Sequence, residues 1–160
     1  MVKKLAVFLF ILFIGCEMNS EQLIKNENIT YENIIFNTVS KDLKFIHNQE
    51  GPEVEIAKQL INKWFSNNIK IDGFDGNLSV RVTSIDINKI KKNEYYRFEI
   101  NLNIEFLETN ETLNKRKIYK INSLEFGEIN GSFSISDMEN LNTNTIYKSL
   151  NKINQNIIDM

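Results

Sequence analysis

Tyr96-Arg97-Phe98-Glu99-Ile100-Asn101-Leu102-Asn103-Ile104-Glu105-Phe106 decides the fold. Every even position is apolar and every odd position is charged or an amide, without a break. Side chains alternate across a strand, so this stretch has one face to bury and one to wet. Such alternation belongs to an antiparallel sheet covered on one side only. Working back toward the N-terminus, Lys91-Lys92-Asn93 makes a reversal. Before it, Leu78, Val80 and Val82 alternate with polar neighbours, and near Ser84 the phase shifts to Ile85 and Ile87. A one-residue phase shift inside a strand predicts a bulge or bend.

Working forward, Glu108 to Thr112 turns the chain and Lys115–Phe126 reads as the next strand, with Tyr119 and Ile121 on one side. Residues 127–135 stay open between loop and extended chain. Asn33–Val39 reads as a first strand that Lys41–Ile46 continues, stopped by Asn48-Gln49-Glu50-Gly51-Pro52. Pro52 suits the first position of a helix, and Glu53 and Glu55 fall in the first turn, where the helix dipole favours acids. Val54, Ala57, Leu60, Ile61, Trp64 and Phe65 follow at helical spacing as far as Asn67-Asn68. Ser136 and Glu139 stand at capping-box spacing, ahead of a stripe of Leu141, Ile146, Leu150, Ile153 and Ile157. The expectation is one α+β domain over 32–160: a two-layer sandwich of order β-α-β-β-β-α, with two helices on one face of an antiparallel sheet.

The N-terminus is built differently. Lys3 and Lys4 precede an unbroken apolar run, Leu5–Ile14, and then Gly15, Cys16 and polar residues from Glu17 onward. Ten apolar residues suit the core of an export signal, whereas a spanning helix needs about 20. Phe13-Ile14-Gly15-Cys16 resembles the lipobox of bacterial lipoproteins, with Phe13 where Leu is usual and Ile14 where a smaller residue is common. The resemblance implies a signal peptide over 1–15, cleavage between Gly15 and Cys16, and lipid attachment at Cys16. A multiply acylated cysteine anchors stably where a single acyl chain does not. In that family an Asp after the cysteine favours the inner membrane. Glu17 therefore implies lipid anchoring in the outer membrane, facing the periplasm. Residues 16–31 are polar without periodicity and read as a flexible tether, reaching roughly 20–25 Å as a coil.

Composition removes several function classes. The net charge is -2, and without Lys3 and Lys4 the chain keeps 17 basic against 21 acidic residues. No basic excess is available for nucleic acid or anionic headgroups, so neither partner is expected. The chain has one Cys and one His. That excludes an internal disulfide and a zinc site built from those ligands. Asn makes up so much of the chain that its four glycosylation-acceptor matches carry no weight.

His47 has no nucleophile motif beside it and reads as surface or structural. Asp72, Asp75 and Asn77, with Gly73 and Gly76, have neither the ligand spacing nor the closing Glu of a calcium loop, and read as a turn. Lys115-Arg116-Lys117 reads as a solvated strand end. Trp64, Phe65, Tyr96, Phe98 and Phe106 read as core, with the lining of an apolar cavity as the alternative. Phe74, between two glycine turns, either folds back on the core or contacts a partner. No catalytic residue, metal or cofactor is expected, and no enzyme.

Two functions then compete. One is a lipid-anchored binding or scaffold subunit of an outer-membrane assembly or transport system, with an envelope protein as partner. The other is a carrier of a lipid or small apolar molecule between sheet and helices. In strand and helix order the chain resembles lipopolysaccharide-assembly and transporter-auxiliary lipoproteins, a likeness of layout without an identifying motif. It also looks like small alphaproteobacterial envelope lipoproteins of no assigned function.

Overall fold

The computed structural model describes residues 30–46 and 49–159. Element order is β1 (Ile34–Phe36), β2 (Ser40–Phe45), α1 (Pro52–Asn68), β3 (Ile69–Ile71), β4 (Asn77–Lys92), β5 (Tyr95–Asn110), β6 (Lys115–Asn130) and α2 (Ile135–Ile158). The fold is α+β in two layers. Strands β2-β4-β5-β6 form the main sheet, and β1 and β3 form a two-stranded one. Among the described residues no helix is long and apolar enough to cross a membrane.

The alternation in β5 sets the layering. Tyr96, Phe98, Ile100, Leu102, Ile104 and Phe106 are all buried in one core with Leu60, Ile61 and Trp64 of α1 and Ile146, Leu150 and Ile153 of α2. Their odd-numbered neighbours face away from the helices. On that open face Glu105 meets Arg81 at 3.9 Å and Lys120 at 3.3 Å, and Arg97 meets Glu99 and Glu128 at 2.9 Å each. The β4–β5 register shifts between Val82 and Ser84, so Val80, Val82 and Ile85 are all buried. That is the expected bulge.

The main sheet is antiparallel across β4, β5 and β6, but β2 pairs with β4 in parallel, as β1 does with β3. Each parallel pair straddles α1. A crossover through a helix returns the chain to its starting end, so the strands it joins run the same way. The single strand expected from Asn33 to Ile46 is two strands in two sheets. They part at Asn37-Thr38-Val39, where the Val39 N–H donates to the Gly76 carbonyl (3.2 Å) and Thr38 Oγ1 donates to the Ser40 carbonyl (3.2 Å).

β3 escapes the sequence pattern because no turn residue separates it from α1. Ile69 closes the helix, donating its N–H to the Phe65 carbonyl, and also begins the strand. The same helix end receives Lys41 from β2, whose ammonium donates to the carbonyls of Phe65 (3.1 Å) and Ile69 and lies 4.6 Å from the Phe65 ring centre. A cation there complements the helix dipole. Burial, reinforced by the charge of Lys70, holds the Lys41 ammonium below the usual lysine range. The strand expected from Lys115 to Phe126 runs on to Asn130, which settles the first part of the open stretch. α2 starts two residues earlier than the Ser136–Glu139 spacing predicts. Its capping box is Ser134 with Asp137, the Ser134 hydroxyl accepting the Asp137 N–H at 3.1 Å.

Candidate functional site

One end of the molecule carries an exposed aromatic on a fastened loop. β3 ends at Ile71, and the Asp72 N–H donates to the Phe36 carbonyl at 2.9 Å. Gly73 then lies so close to the β1–β2 junction that a Cβ there would stand 2.5 Å from the Asn37 carbonyl carbon. Phe74 follows and is fully exposed. Asp75 Oδ2 accepts the Thr112 N–H at 2.8 Å, tying the loop to the β5–β6 turn. The hydrogen bonds from Thr112 hold the Asp75 carboxyl below the usual aspartate range. Gly76 is buried with φ +83°, against Thr109. The loop is thus strapped on both sides of Phe74, and no core contact draws the ring inward.

Other apolar side chains flank it. Val39, bonded through its N–H to Gly76, and Leu113, next to Thr112, are each more than half exposed. Leu113 is held at the turn by its own N–H, which donates to Asn110 Oδ1 at 2.7 Å. Alongside runs an open cleft of about 290 Å³, floored by Ile34, Phe36, Phe106 and Tyr119 and reaching Ile157. Phe36 and Phe106 are stacked there with centroids 6.0 Å apart. A neighbouring hollow of about 200 Å³ shares Asn37, Glu108 and Lys117 with it and ends at Leu113. Glu108 and Lys117 lie 3.7 Å apart at the common rim.

Sequence reasoning singled out Phe74 and missed Val39 and Leu113. Their exposure follows from chain pairings between residues distant in sequence, which no local pattern reports. The Asp75 carboxylate is engaged by Thr112, and the Asn77 side chain by Ser40 and Asp42. Among the described residues no group of three or more His, Cys, Asp or Glu could hold a metal. Trp64 is buried, donates its indole N–H to Asn154 Oδ1 at 2.8 Å and sits edge-on to Phe106 at 6.4 Å. Asn154 is itself fully buried and donates to the Glu32 carbonyl at 3.2 Å, and the hollow that Trp64 lines with Tyr31, Leu60 and Tyr147 measures only about 80 Å³. Phe98 and Phe106 are core, Phe65 is half-buried, and the buried Tyr96 donates its hydroxyl to Asn142 Oδ1 at 2.9 Å. Lys115, Arg116 and Lys117 are exposed at the start of β6. Gly15, Cys16, Glu17 and His47 lie outside the described residues, as does the expected tether up to residue 29.

No family model matches the chain, and no curated protein matches it. Among solved structures, a DUF330 protein from Xanthomonas campestris is similar at 8% identity and TM-score 0.45, over 82% of this chain and 86% of that one. A minor lipoprotein from Acinetobacter baumannii is similar at 10% identity and TM-score 0.38, over 75% and 87% of the two chains. The rare lipoprotein B of Shewanella oneidensis is similar at 12% identity and TM-score 0.32, over 74% and 98%.

Proposed function

We propose that this chain is an exported lipoprotein of the bacterial envelope, cut between Gly15 and Cys16 and lipid-anchored through Cys16. Its α+β domain serves as a non-enzymatic binding or scaffold subunit of an outer-membrane assembly or transport system. The observation that carries the anchor is the order Lys3-Lys4, Leu5–Ile14, Gly15-Cys16, with the chain's single cysteine at the end of the apolar run. Glu17 after the cysteine supports outer-membrane placement with the domain facing the periplasm. The fully exposed Phe74, on a loop strapped at Asp72, Asp75 and Gly76, supports a protein contact. Phe74 is joined by the exposed Val39 and Leu113, whose segments are bonded to its loop, and exposed apolar groups clustered on a surface loop mark interaction sites. The hollow beside Trp64, about 80 Å³, is small for a lipid or drug-sized molecule and weighs against the carrier reading.

Two experiments test this. Cells making the Cys16→Ser chain are fed radiolabelled palmitate. The label is expected on the parent chain and absent from the variant, and label retained on the variant would overturn the anchor. In-cell crosslinking of the full-length chain, followed by mass spectrometry, is expected to capture one reproducible envelope protein, lost with Phe74→Ser. Bound lipid with no protein partner would refute the scaffold role.

A further inference from the structure

β6 is the last strand of the main sheet, and among the described residues nothing pairs with its outer edge. It is 16 residues long, pairs with β5 without a register shift and contains no proline. The opposite edge, β2, has only 6 residues. A long straight edge presents a row of unpaired N–H and C=O groups ready to take another strand. On the open face β6 also exposes Ile118, Leu124 and Phe126, each by about half.

The charges on this strand are sorted. Lys115, Arg116, Lys117 and Lys120 occupy its first part, and Glu125 and Glu128 its last part. A strand basic at one end and acidic at the other complements itself only when the copies run antiparallel. Opposed residues in an antiparallel pair lie on the same face, which restricts the register to every second alignment. Centring the pair on Asn122 sets Arg116 against Glu128 of the second copy and Ile118 against Phe126, twice each by symmetry, all on the open face. The Arg116 side chain makes no hydrogen bond or ion pair among the described residues. Glu128 accepts from Tyr95 and Arg97 through Oε1, each at 2.9 Å, leaving Oε2 available.

We propose that β6 pairs antiparallel with β6 of a second copy of this chain, about a two-fold axis at Asn122, to give one continuous eight-stranded sheet. The axis stands normal to the sheet, so both pairs of helices lie on the same side. The chain enters the domain on that side, where the Tyr31 hydroxyl reaches the Tyr147 carbonyl of α2 (3.5 Å) and Asn68 of α1 holds the Tyr31 carbonyl (2.9 Å). Two anchors entering one bilayer are compatible with this arrangement, because both chains enter their domains from the same side.

The test uses the full-length chain in native membranes, with Asn122→Cys and a short thiol-to-thiol crosslinker. Opposed Cα atoms in an antiparallel pair are about 4.5–5.5 Å apart, within reach of such a link. A covalent dimer is expected from Asn122→Cys, several-fold above Asn88→Cys on the open face of β4 and above the parent chain with Cys16 alone. Arg116→Glu or Glu128→Arg, each added to Asn122→Cys, is expected to lower the dimer yield, and both together to restore it. Arg116 is exposed, whereas Glu128→Arg also removes the bonds from Tyr95 and Arg97, so protease resistance of each monomer is measured and dimer yields are compared among variants that keep the parent's resistance. A yield from Asn122→Cys no greater than from Asn88→Cys, or a charge-reversed pair that does not recover, overturns the proposal. Palmitate labelling of the same membranes reports on the anchor separately.

Discussion

Replacing Gly76 with alanine tests whether the Phe74 loop rests where the structure puts it. Two costs add. At φ +83° the backbone is left-handed, and an L-residue there loses about 1–2 kcal/mol. The new Cβ would also run into the Thr109 carbonyl oxygen, with the Thr109 carbonyl carbon at 2.9 Å and Asn110 Cα at 3.1 Å. These are backbone atoms at the end of β5, so no side chain can swing aside and the loop or the strand must move. Overpacking of that kind costs about 1–3 kcal/mol. The expected total is roughly 2–5 kcal/mol, a large share of the ~5–15 kcal/mol that holds an ordinary domain together. Gly131, at the β6–α2 turn, is the control. Its φ is +94°, but a Cβ there meets nothing within 4 Å, so it carries the backbone cost alone.

Equilibrium urea unfolding, followed by the fluorescence of the single buried Trp64, reads both variants. Gly76→Ala should exceed Gly131→Ala by about 1–3 kcal/mol at unchanged urea dependence. A difference below ~0.5 kcal/mol, the size of an ordinary surface effect, would refute the claim that the loop is seated against Thr109. The same variant should weaken the crosslink made through Phe74, because Asp75 and the Val39–Gly76 bond lie beside that ring. Phe74→Ser should lose the crosslink while changing stability by no more than ~0.5 kcal/mol, since it removes an exposed side chain.

Three further outcomes follow from the structure. Asn154→Ala strands the buried Trp64 indole N–H and should cost about 1–3 kcal/mol. Combined with Trp64→Phe it should show a coupling of ~0.5–3 kcal/mol in a double-mutant cycle, and additivity would sink the pairing. Ser134→Ala should cost about 1 kcal/mol of thermal or urea stability while Ser136→Ala costs almost nothing, and the reverse order would place the helix start wrongly. Asp42 is held below its ordinary value of 3.8 chiefly by a hydrogen bond from Asn77, helped by Ser79 and Lys44. A carboxyl whose folded value is depressed stabilises the fold above 3.8 and loses that contribution as pH falls through the folded value. Asp42→Asn should therefore flatten the acid limb of the urea midpoint against pH, modestly, because the side chain is 36% exposed and screened. An unchanged acid limb would refute the role given to Asn77.

What was legible in the sequence is what depends on neighbours along the chain. The unbroken alternation of β5 gave its length, its buried face and the one-sided sheet, because period-two patterning has one structural meaning over that distance. The phase shift at Ser84 gave the bulge for the same reason, and Pro52 with the apolar stripe gave α1. The cap of α2 was legible as a kind of motif but not in its position. Two serine-acid spacings overlap there, and Asp137 does for Ser134 what a glutamate at Glu139 was expected to do for Ser136. Strand direction was not legible, because whether β2 runs with or against β4 depends on the crossover through α1 and leaves no mark on Leu43 or Phe45. The exposure of Phe74 was undecidable locally. The straps that settle it join Asp75 to Thr112 and Gly73 to Asn37, residues far apart in sequence.

The point where the chain enters the domain and the point that presents Phe74 are mechanically joined. Tyr31 is half-buried, and the desolvation of its phenol pushes it well above the usual tyrosine range, while the Glu32 carbonyl is held by Asn154 of α2. Asn68 of α1 holds the Tyr31 carbonyl, so both helices grip the chain before β1 begins. β1 then carries it through Ile34–Phe36, about 10 Å of extended backbone, to Phe36 and Asn37, on which Asp72 and Gly73 of the loop rest. A load on the expected tether therefore reaches the Phe74 loop through one short strand and not through a flexible hinge. Within the domain the residues where the chain enters and the Phe74 loop move as one unit, so Phe74 keeps a fixed orientation relative to Tyr31 and Glu32. The 16-residue edge of β6 lies in the main sheet, outside that path, and leaves the route from tether to Phe74 undisturbed when a second copy binds.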